Sequence, residues 1–345
     1  MLVIGPKVHK TCGDGQRCFT PCAINNTANT TGCLDFSARN AYATVTAAGG
    51  IVLSYTDTSA CGTAKGCAVN YQTLLEKHSG YKTVNPVKRV DFGAAEGVLA
   101  GPGAGIVLGR HSISSAHPGR WVGCGGVGYV GGGPISMSVW YSDTQGDTYA
   151  LATGGGLPFL GIGECQAVEL KNGSVMVNAR NGNCRCVSLH PGGARPVQPQ
   201  HAHASTRPGC SRACCSALPG CTQHHRLYSI SNDGGATFSA PKFAADLPEP
   251  ICSAGLINHG GDLYFSNPDE SGPSPRVRTG RTHMTVKKSV DSGEHWAVDT
   301  PVWAGPAAYS VVAPLDEKSV GVVYERGRAW TTNPYEKITM AIVQI

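Results

Sequence analysis

An eight-residue turn pattern recurs along the chain and restricts the fold more than any other feature of the sequence. Residues 231–238 read Ser-Asn-Asp-Gly-Gly-Ala-Thr-Phe, of the form Ser-x-Asp-x-Gly-x-Thr-aromatic. Residues 289–296 repeat the form with one change, and residues 142–149 are a degraded third copy. One copy would be a generic turn. Three copies, each preceded by a strand-like run, predict a repeat architecture.

The pattern describes a turn that caps itself. The carboxylate of Asp233 or Asp291 can accept backbone N–H bonds, and Gly235 or Gly293 can take a positive φ. The aromatic residue at the end can pack between strands. The repeat is known as an Asp box, and it marks the outer hairpin of β-propeller blades.

Short apolar or alternating runs between glycine-bearing or polar turns predict strands throughout the chain. They lie at residues 51–55, 174–178, 263–266 and 320–324. Helical periodicity of any length is absent from the sequence. The class predicted is therefore all-β, either a sandwich or a propeller, and the turn repeat favours the propeller.

The composition excludes several classes of protein. Charged residues make up 15% of the 345 residues, too few for a coiled coil, while 41% hydrophobic residues and 46 glycines fit a globular core rather than disorder. Apolar runs are too short for a membrane-spanning helix. The net charge of +5 comes from scattered basic residues, which does not indicate a nucleic-acid partner.

Fifteen cysteines indicate disulfides and an oxidising compartment. Paired spacings are found at Cys12, Cys18, Cys22, Cys33, Cys61, Cys67, Cys184, Cys186, Cys210, Cys214, Cys215 and Cys221. Zinc is the alternative, but these spacings fit a zinc site poorly. Sequons at Asn25, Asn29 and Asn172 agree with the secretory pathway, and so with an extracellular or lysosomal location. The first ten residues do not form a signal peptide, which suggests a missing beginning.

The chain divides into three kinds of segment. Residues 1–42 are rich in Cys and Asn and fit no strand pattern, whereas residues 43–345 carry the strand pattern of propeller blades. Residues 187–226 interrupt that pattern with Pro, His and Cys, and we interpret them as a surface insertion. A metal site built from the histidines of this insertion is the weaker interpretation, and no metal is predicted.

Several motifs occur in the order found in one family. Gly-Pro-Gly-Ala-Gly-Ile at 101–106 precedes Glu-Cys-Gln at 164–166 and Asn-Ala-Arg-Asn at 178–181. Ser-Asn-Pro then precedes the Arg-Thr-His-Met-Thr that begins at Arg281, and a C-terminal pair of segments contains Tyr309 and Glu325. In these motifs residues 43–345 resemble the sialidases of the animal lysosomal type, which are also found in bacteria. The pairing of Glu-Cys-Gln with Asn-Ala-Arg-Asn is the most specific of them.

The resemblance implies an exo-α-sialidase that removes terminal α-linked sialic acid from glycoproteins, glycolipids and oligosaccharides with retention. Sialic acid carries a carboxylate on its anomeric carbon, which would repel a carboxylate nucleophile, and sialidases use a Tyr instead. By resemblance Tyr309 is the nucleophile and Glu164 the base that a phenol of pKa about 10 requires. Arg180 and Arg281 would bind the substrate carboxylate, and no cofactor is implied.

Two further assignments follow from the resemblance. Glu325 would orient a neighbouring arginine of the carboxylate-binding cluster. Arg276 and Arg278 lie close enough to Arg281 in sequence to compete with it for that role.

The sequence departs from the family at its beginning. The family's first blade has Arg-Ile-Pro, a second Arg and an acidic Asp. None of these is found here, since Arg17, Arg39 and Asp35 lack the expected surroundings. The expected fold is therefore a six-bladed propeller whose N-terminal blade is absent or degenerate. Either the sequence is a fragment of an active sialidase, or it is an incomplete propeller that binds sialylated glycans. A trans-sialidase with the same residues is a third interpretation.

An open ring with unpaired strand edges should be unstable. We therefore expect the isolated 345-residue chain to fold poorly. Thermal unfolding followed by circular dichroism tests this expectation, and a sharp cooperative transition would contradict it.

Overall fold

Every helix or strand in the described part of this computed structural model is a β-strand, which confirms the predicted all-β class. The structure describes residues 10–11, 17–19, 38–46, 50–57, 69–76, 82–83, 88–90, 95–100, 104–109, 114–129, 136–153, 159–160, 164–181, 225–269, 280–329 and 331–345. Within these ranges no helix has the length and apolar character needed to cross a membrane.

The strands are short and follow one another through tight turns. They are β1 Lys10–Thr11, β2 Arg17–Phe19, β3 Ala38–Val45, β4 Ile51–Asp57, β5 Val69–Glu76, β6 Lys82–Thr83, β7 Lys88–Val90, β8 Ala95–Ala100, β9 Ala104–Val107, β10 Trp121–Tyr129, β11 Ser136–Ser142, β12 Ala150–Leu151, β13 Phe159–Leu160, β14 Cys165–Glu169, β15 Val175–Ala179, β16 His225–Ser231, β17 Lys242–Pro248, β18 Gly255–His259, β19 Asp262–Pro268, β20 Thr282–Ser289, β21 Val298–Asp316, β22 Ser319–Arg326 and β23 Lys337–Gln344. The four predicted strand runs fall in β4, β15, β19 and β22.

Antiparallel meanders are the basic unit of the sheets. Strands β14 to β17 form a four-stranded sheet in sequence order, and β18 to β21 are ordered in the same way within a larger sheet. Strand β21 belongs to two such units, because its first half pairs with β20 and its second half with β22. The inner strand β14 packs against β9, β10 and β18, so neighbouring units meet along their first strands.

The N-terminal segment contains strands that the sequence did not assign. Strand β2 pairs with β23, Arg17 opposite Met340, so this segment supplies strands to the C-terminal sheet. The sequence had left the structure of residues 1–42 open. Strands of two or three residues are too short to show an alternating pattern in sequence. The predicted boundary at residue 42 lies inside β3, and the predicted insertion lies outside the described residues except for 225–226, which begin β16.

The turn repeats close with the hydrogen bonds that their sequence predicts. At Ser231–Phe238, Asp233 Oδ1 accepts the N–H of Thr237 at 2.9 Å, and Ser231 Oγ accepts the N–H of Gly235 at 2.7 Å. Gly235 has φ +90°. Phe238 is buried in a cluster that includes residues of β10, β11 and β14, so its ring lies between two sheets.

The turn at 289–296 repeats this geometry. Asp291 Oδ1 accepts the N–H of His295 at 2.9 Å, and Ser289 Oγ accepts the N–H of Gly293 at 2.9 Å. These bonds, together with the His295 ring, outweigh desolvation and lower the pKa of Asp291 to about 2. Trp296 is buried between the next pair of sheets. The two turns therefore cap hairpins and join neighbouring sheets.

The degraded copy uses a hydroxyl where the others use a carboxylate. Thr144 occupies the Asp position, and its Oγ1 accepts the N–H of Thr148 at 2.8 Å. The neighbouring Asp143 forms an ion pair with Arg120 at 2.7 Å. Arg120 also donates to the backbone carbonyls of Asp233 and Gly234, so it links this turn to the next turn repeat.

A disulfide joins Cys124 of β10 to Cys165 of β14 and so connects two sheets. Cys165 belongs to the Glu-Cys-Gln motif, but the sequence did not suggest its partner, 41 residues away. Cys252 is a buried free thiol. The side chains of the cysteines with paired spacings lie outside the described residues, so those pairings stay predictions.

Gly293 should be more sensitive to substitution than Gly260, although both have positive φ. A Cβ at Gly293 would lie 2.5 Å from Met176 Cε of the neighbouring sheet, whereas a Cβ at Gly260 would meet nothing within 4 Å. Both alanine variants pay for the left-handed backbone, about 1–2 kcal/mol. Overpacking adds about 1 kcal/mol for Gly293→Ala alone, at the low end for an added methyl group, because the end of the buried Met176 side chain can shift in part. Urea unfolding of the full chain measures this difference, and equal losses in the two variants would contradict the packing argument.

Candidate active site

The candidate catalytic and substrate-binding residues of the sequence analysis lie at one edge of the meanders. Glu164 precedes β14, Arg180 follows β15, and Arg281 precedes β20. Tyr309 lies in β21 just after this strand passes from one sheet to the next, and Glu325 is near the end of β22. In an antiparallel meander the start of the first strand, the end of the second and the start of the third share an edge. The turn repeats follow the third strand and lie at the opposite edge.

Tyr309, Glu164 and Arg180 form a hydrogen-bonded triad. The Tyr309 hydroxyl donates to Glu164 Oε1, and Arg180 Nη1 donates to Glu164 Oε2. Arg180 Nη1 also lies 3.0 Å from the Tyr309 hydroxyl oxygen. The side chains of Arg180 and Glu164 are only 11% and 13% exposed, so water screens these charges weakly.

The surroundings keep the Tyr309 phenol neutral. Burial raises the pKa of Tyr309 well above its usual value, and the charge of Glu164 raises it further, outweighing the opposite effect of Arg180. A phenol in this state is a weak nucleophile until a base removes its proton. Glu164 Oε1 already accepts that proton in a hydrogen bond, so it is placed to act as the base.

Arg180 stays charged in the same surroundings. Burial acts to lower the pKa of Arg180, but the charge and hydrogen bond of Glu164 outweigh burial and raise it. The Nε atom of Arg180 is buried and has no hydrogen-bond partner among the described residues. A buried donor without a partner destabilises the folded state, so the contacts with Glu164 and Tyr309 hold Arg180 in place against that cost.

Arg281 lies over the Tyr309 ring, with its Cζ 5.5 Å from the ring centre. Its two terminal nitrogens donate to the carbonyl of Ile251 and to the hydroxyl of Tyr335. Two guanidinium groups therefore lie next to Tyr309, which suits an anionic ligand bound beside the phenol. The competing candidates Arg276 and Arg278 lie outside the described residues.

Glu325 supports the backbone of Tyr309. Its Oε2 accepts the Tyr309 N–H at 3.2 Å. Burial raises the pKa of Glu325, against the opposing effect of that hydrogen bond. The predicted role of Glu325, to orient an arginine, stays a prediction, while the contact to Tyr309 was not foreseen.

The sequence also missed Ile251 and Tyr335. Ile251 acts through its backbone carbonyl, which no sequence motif reveals, and Tyr335 is an exposed residue of the loop between β22 and β23. No group of three or more potential metal ligands occurs among the described residues.

The comparisons with known proteins point to sialidases. No family model matches the chain. A sialidase of Micromonospora viridifaciens is 26% identical over 258 residues, 71% of this chain and 30% of its own length. Among solved structures, the Hadza microbial sialidase Hz136 has a TM-score of 0.61 at 19% identity, over 89% of this chain and 52% of its own. A leech intramolecular trans-sialidase has a TM-score of 0.54 at 17% identity, over 81% and 37%.

These comparisons support the assignment to the sialidases that the motifs indicate. The solved structures show the fold, and the sialidases among them are β-propellers. The chain spans less than a third of the length of the curated relative and about half of the Hz136 structure.

Replacing Glu164 by Gln should lower the pKa of Tyr309. The substitution removes the carboxylate whose charge disfavours the phenolate, while Arg180, which favours it, remains. Carbon-13 NMR of protein labelled at the tyrosine Cζ would follow the titration, with the Tyr309 signal assigned by its loss in Tyr309→Phe. Tyr228 serves as the internal control, because its own raised pKa does not depend on Glu164. A Tyr309 titration that is unchanged in Glu164→Gln would contradict the coupling.

Proposed function

We propose that the chain is an exo-α-sialidase of the sialidase family that hydrolyses terminal α-linked sialic acids through a tyrosine nucleophile. The observation that carries the proposal is the hydrogen bond from the Tyr309 hydroxyl to Glu164, with two guanidinium groups next to the phenol. Anionic sugars with a carboxylate on the reacting carbon need this combination: a neutral nucleophile, a base for its proton and cationic groups for the carboxylate.

The first half-reaction follows from the contacts of the triad. The Tyr309 oxygen attacks the anomeric carbon, its proton passes to Glu164 Oε1, and the bond from that carbon to the leaving oxygen breaks. Arg180 lies 3.0 Å from the attacking oxygen and stabilises the negative charge that develops there as the proton leaves. A leaving group that is stable as an anion departs without an acid.

The second half-reaction reverses the proton transfer. Water attacks the anomeric carbon from the face that the leaving group vacated and releases one proton to the solvent, and the bond to the Tyr309 oxygen breaks. Glu164 returns its proton to that oxygen. Two inversions at one carbon give net retention.

The two guanidinium groups beside Tyr309 support the assignment of a substrate carboxylate. Arg180 Nη1 contacts Glu164 and the Tyr309 hydroxyl, and Arg281 lies over the Tyr309 ring. A carboxylate bound by both arginines would place the anomeric carbon next to the Tyr309 hydroxyl.

The proposal extends to the number of blades, the type of turn repeat, the substrates and the cellular location. We propose six blades, supported by the repeated four-stranded meanders β14–β17 and β18–β21. We also propose that the turn repeats at 231–238 and 289–296 are Asp boxes of the sialidase kind, because each caps a hairpin and packs an aromatic ring between two sheets. We also propose sialylated glycoconjugates as substrates and a secretory-pathway location, with the cysteine content and sequons as its support.

Sialyl transfer is a second candidate function. The leech neighbour is an intramolecular trans-sialidase, and another neighbour is a Trypanosoma rangeli sialidase mutant with trans-sialidase activity. Transfer and hydrolysis share the tyrosine intermediate and differ in the group that attacks it. Adding lactose to the assay and measuring sialyllactose separates the two.

Tyr309→Phe tests the proposed function. The variant should lose at least about 10²-fold in kcat on an aryl α-sialoside, because it removes the nucleophile and the proton that Glu164 accepts. Proton NMR of the wild-type reaction should show the α-anomer of free sialic acid first. Tyr141→Phe is the matched control, since Tyr141 contacts Arg120 at the opposite edge. Hydrolysis unaffected by Tyr309→Phe would overturn the nucleophile assignment, and a wild-type chain that binds but never hydrolyses would favour the glycan-binding alternative.

A further inference from the structure

A fully buried ion pair lies beneath the candidate active site. Arg226 Nη1 is 2.8 Å from Glu249 Oε2, and both side chains have zero exposure. Arg226 Nε also donates to Asn178 Oδ1 at 2.8 Å, which ties it to the strand that leads to Arg180. Neither residue contacts the Tyr309–Glu164 pair in the described structure, so the reaction itself does not explain them.

Glu249 holds two backbone segments that lead to the two arginines. Its Oε2 accepts the N–H of Asn181, the residue after Arg180, at 2.9 Å. Its Oε1 accepts the N–H of Cys252, the residue after Ile251, at 2.9 Å. Arg226 Nη1 donates to the Cys252 carbonyl at 2.8 Å, so the ion pair holds this residue at both its N–H and its C=O.

The backbone at Ile251 needs such support. Ile251 has φ +58°, a left-handed conformation that is unfavourable for a β-branched residue. Strained backbone of this kind persists only where the surroundings determine it. In this conformation the Ile251 carbonyl accepts a hydrogen bond from Arg281 Nη2. The ion pair thus fixes a strained peptide, and the strained peptide fixes a guanidinium of the site.

Stability alone explains the pair poorly. Desolvating two charges often cancels their attraction, and apolar replacements of buried ion pairs can be neutral or stabilising. A carboxylate that accepts from two separate backbone segments can set their geometry, which an apolar side chain cannot do.

We propose that Arg226 and Glu249 are positioning residues that hold Arg180 and Arg281 in register for one substrate carboxylate. The inference rests on the proposed function, because it takes the ligand of these arginines to be the carboxylate of a sialic acid.

Glu249→Gln is the sharpest variant. Both carboxylate oxygens accept from N–H donors, so an amide of the same shape must turn its NH2 toward one of them. We expect KM for an aryl α-sialoside to rise on the order of 10- to 100-fold, as for a lost charge-assisted contact. The dissociation constant of 2-deoxy-2,3-didehydro sialic acid, from calorimetry, should rise in parallel. The fall in kcat should be smaller, since Tyr309 and Glu164 keep their contacts.

Two further variants separate positioning from general destabilisation. Asp143→Asn makes the same chemical change in an ion pair at the opposite edge and should leave KM unchanged. Adding Ile251→Asn to Glu249→Gln should recover part of the lost affinity, because asparagine tolerates the left-handed conformation. A KM that stays high although the free energy of unfolding recovers would count against the positioning role.

A crystal structure of Glu249→Gln gives a readout that does not depend on activity. We expect Ile251 to leave its left-handed conformation and its carbonyl to lose the contact with Arg281. Retention of both features would overturn the inference, whether or not the protein is a sialidase. An unchanged KM in an active wild-type background would also overturn it. A wild-type chain without hydrolysis would count against the proposed function alone, since the crystallographic result still decides the inference.

Discussion

The alternating direction of antiparallel strands is the constraint on which the rest of the structure depends. Each meander sends one set of connections to one edge and the other set to the opposite edge. Phe238 and Trp296, which pack between sheets, therefore lie away from the group formed by Tyr309, Glu164 and Arg180. Self-capping turns close the strands at one edge, whereas longer and less regular loops connect them at the other edge. Polar chemistry is concentrated where the hydrogen-bond ladders end.

At the edge that holds Tyr309, the charged groups control the protonation state of the phenol. In the proposed mechanism a phenolate at Tyr309 would repel the substrate carboxylate, so the phenol has to stay neutral until it reacts. Burial and the charge of Glu164 achieve this by raising the pKa of Tyr309. The same carboxylate that keeps the phenol protonated is the group positioned to remove its proton. Arg180 balances the arrangement, because it offsets the charge of Glu164 and lies close enough to stabilise the developing phenolate.

The sequence predicted the parts of the molecule that local chemistry decides. The turn repeats at Asp233 and Asp291 could be predicted because a self-capped turn needs particular side chains at fixed spacings. The triad of Tyr309, Glu164 and Arg180 came from a resemblance in motif order, since Tyr309 lies 145 residues from Glu164 and only the tertiary fold brings them together. Strands β1 and β2 were missed because their order depends on pairing with β23, far away in the chain.

The residues that the sequence could not reveal are those that act through the backbone. Ile251 offers a carbonyl, and nothing about an isoleucine before a cysteine indicates a left-handed φ. Glu249 accepts three hydrogen bonds at zero exposure, but an isolated glutamate before a proline is normally a solvated residue. Such groups become visible only when every donor around a buried carboxylate is traced to the segment that carries it. For this site, that tracing leads from Glu249 to Asn181 and Cys252. Asn181 follows Arg180 directly, and Cys252 follows Ile251, whose carbonyl accepts a hydrogen bond from Arg281. Under the proposed function, the geometry of the carboxylate-binding groups is therefore set one layer below the surface that a substrate would touch.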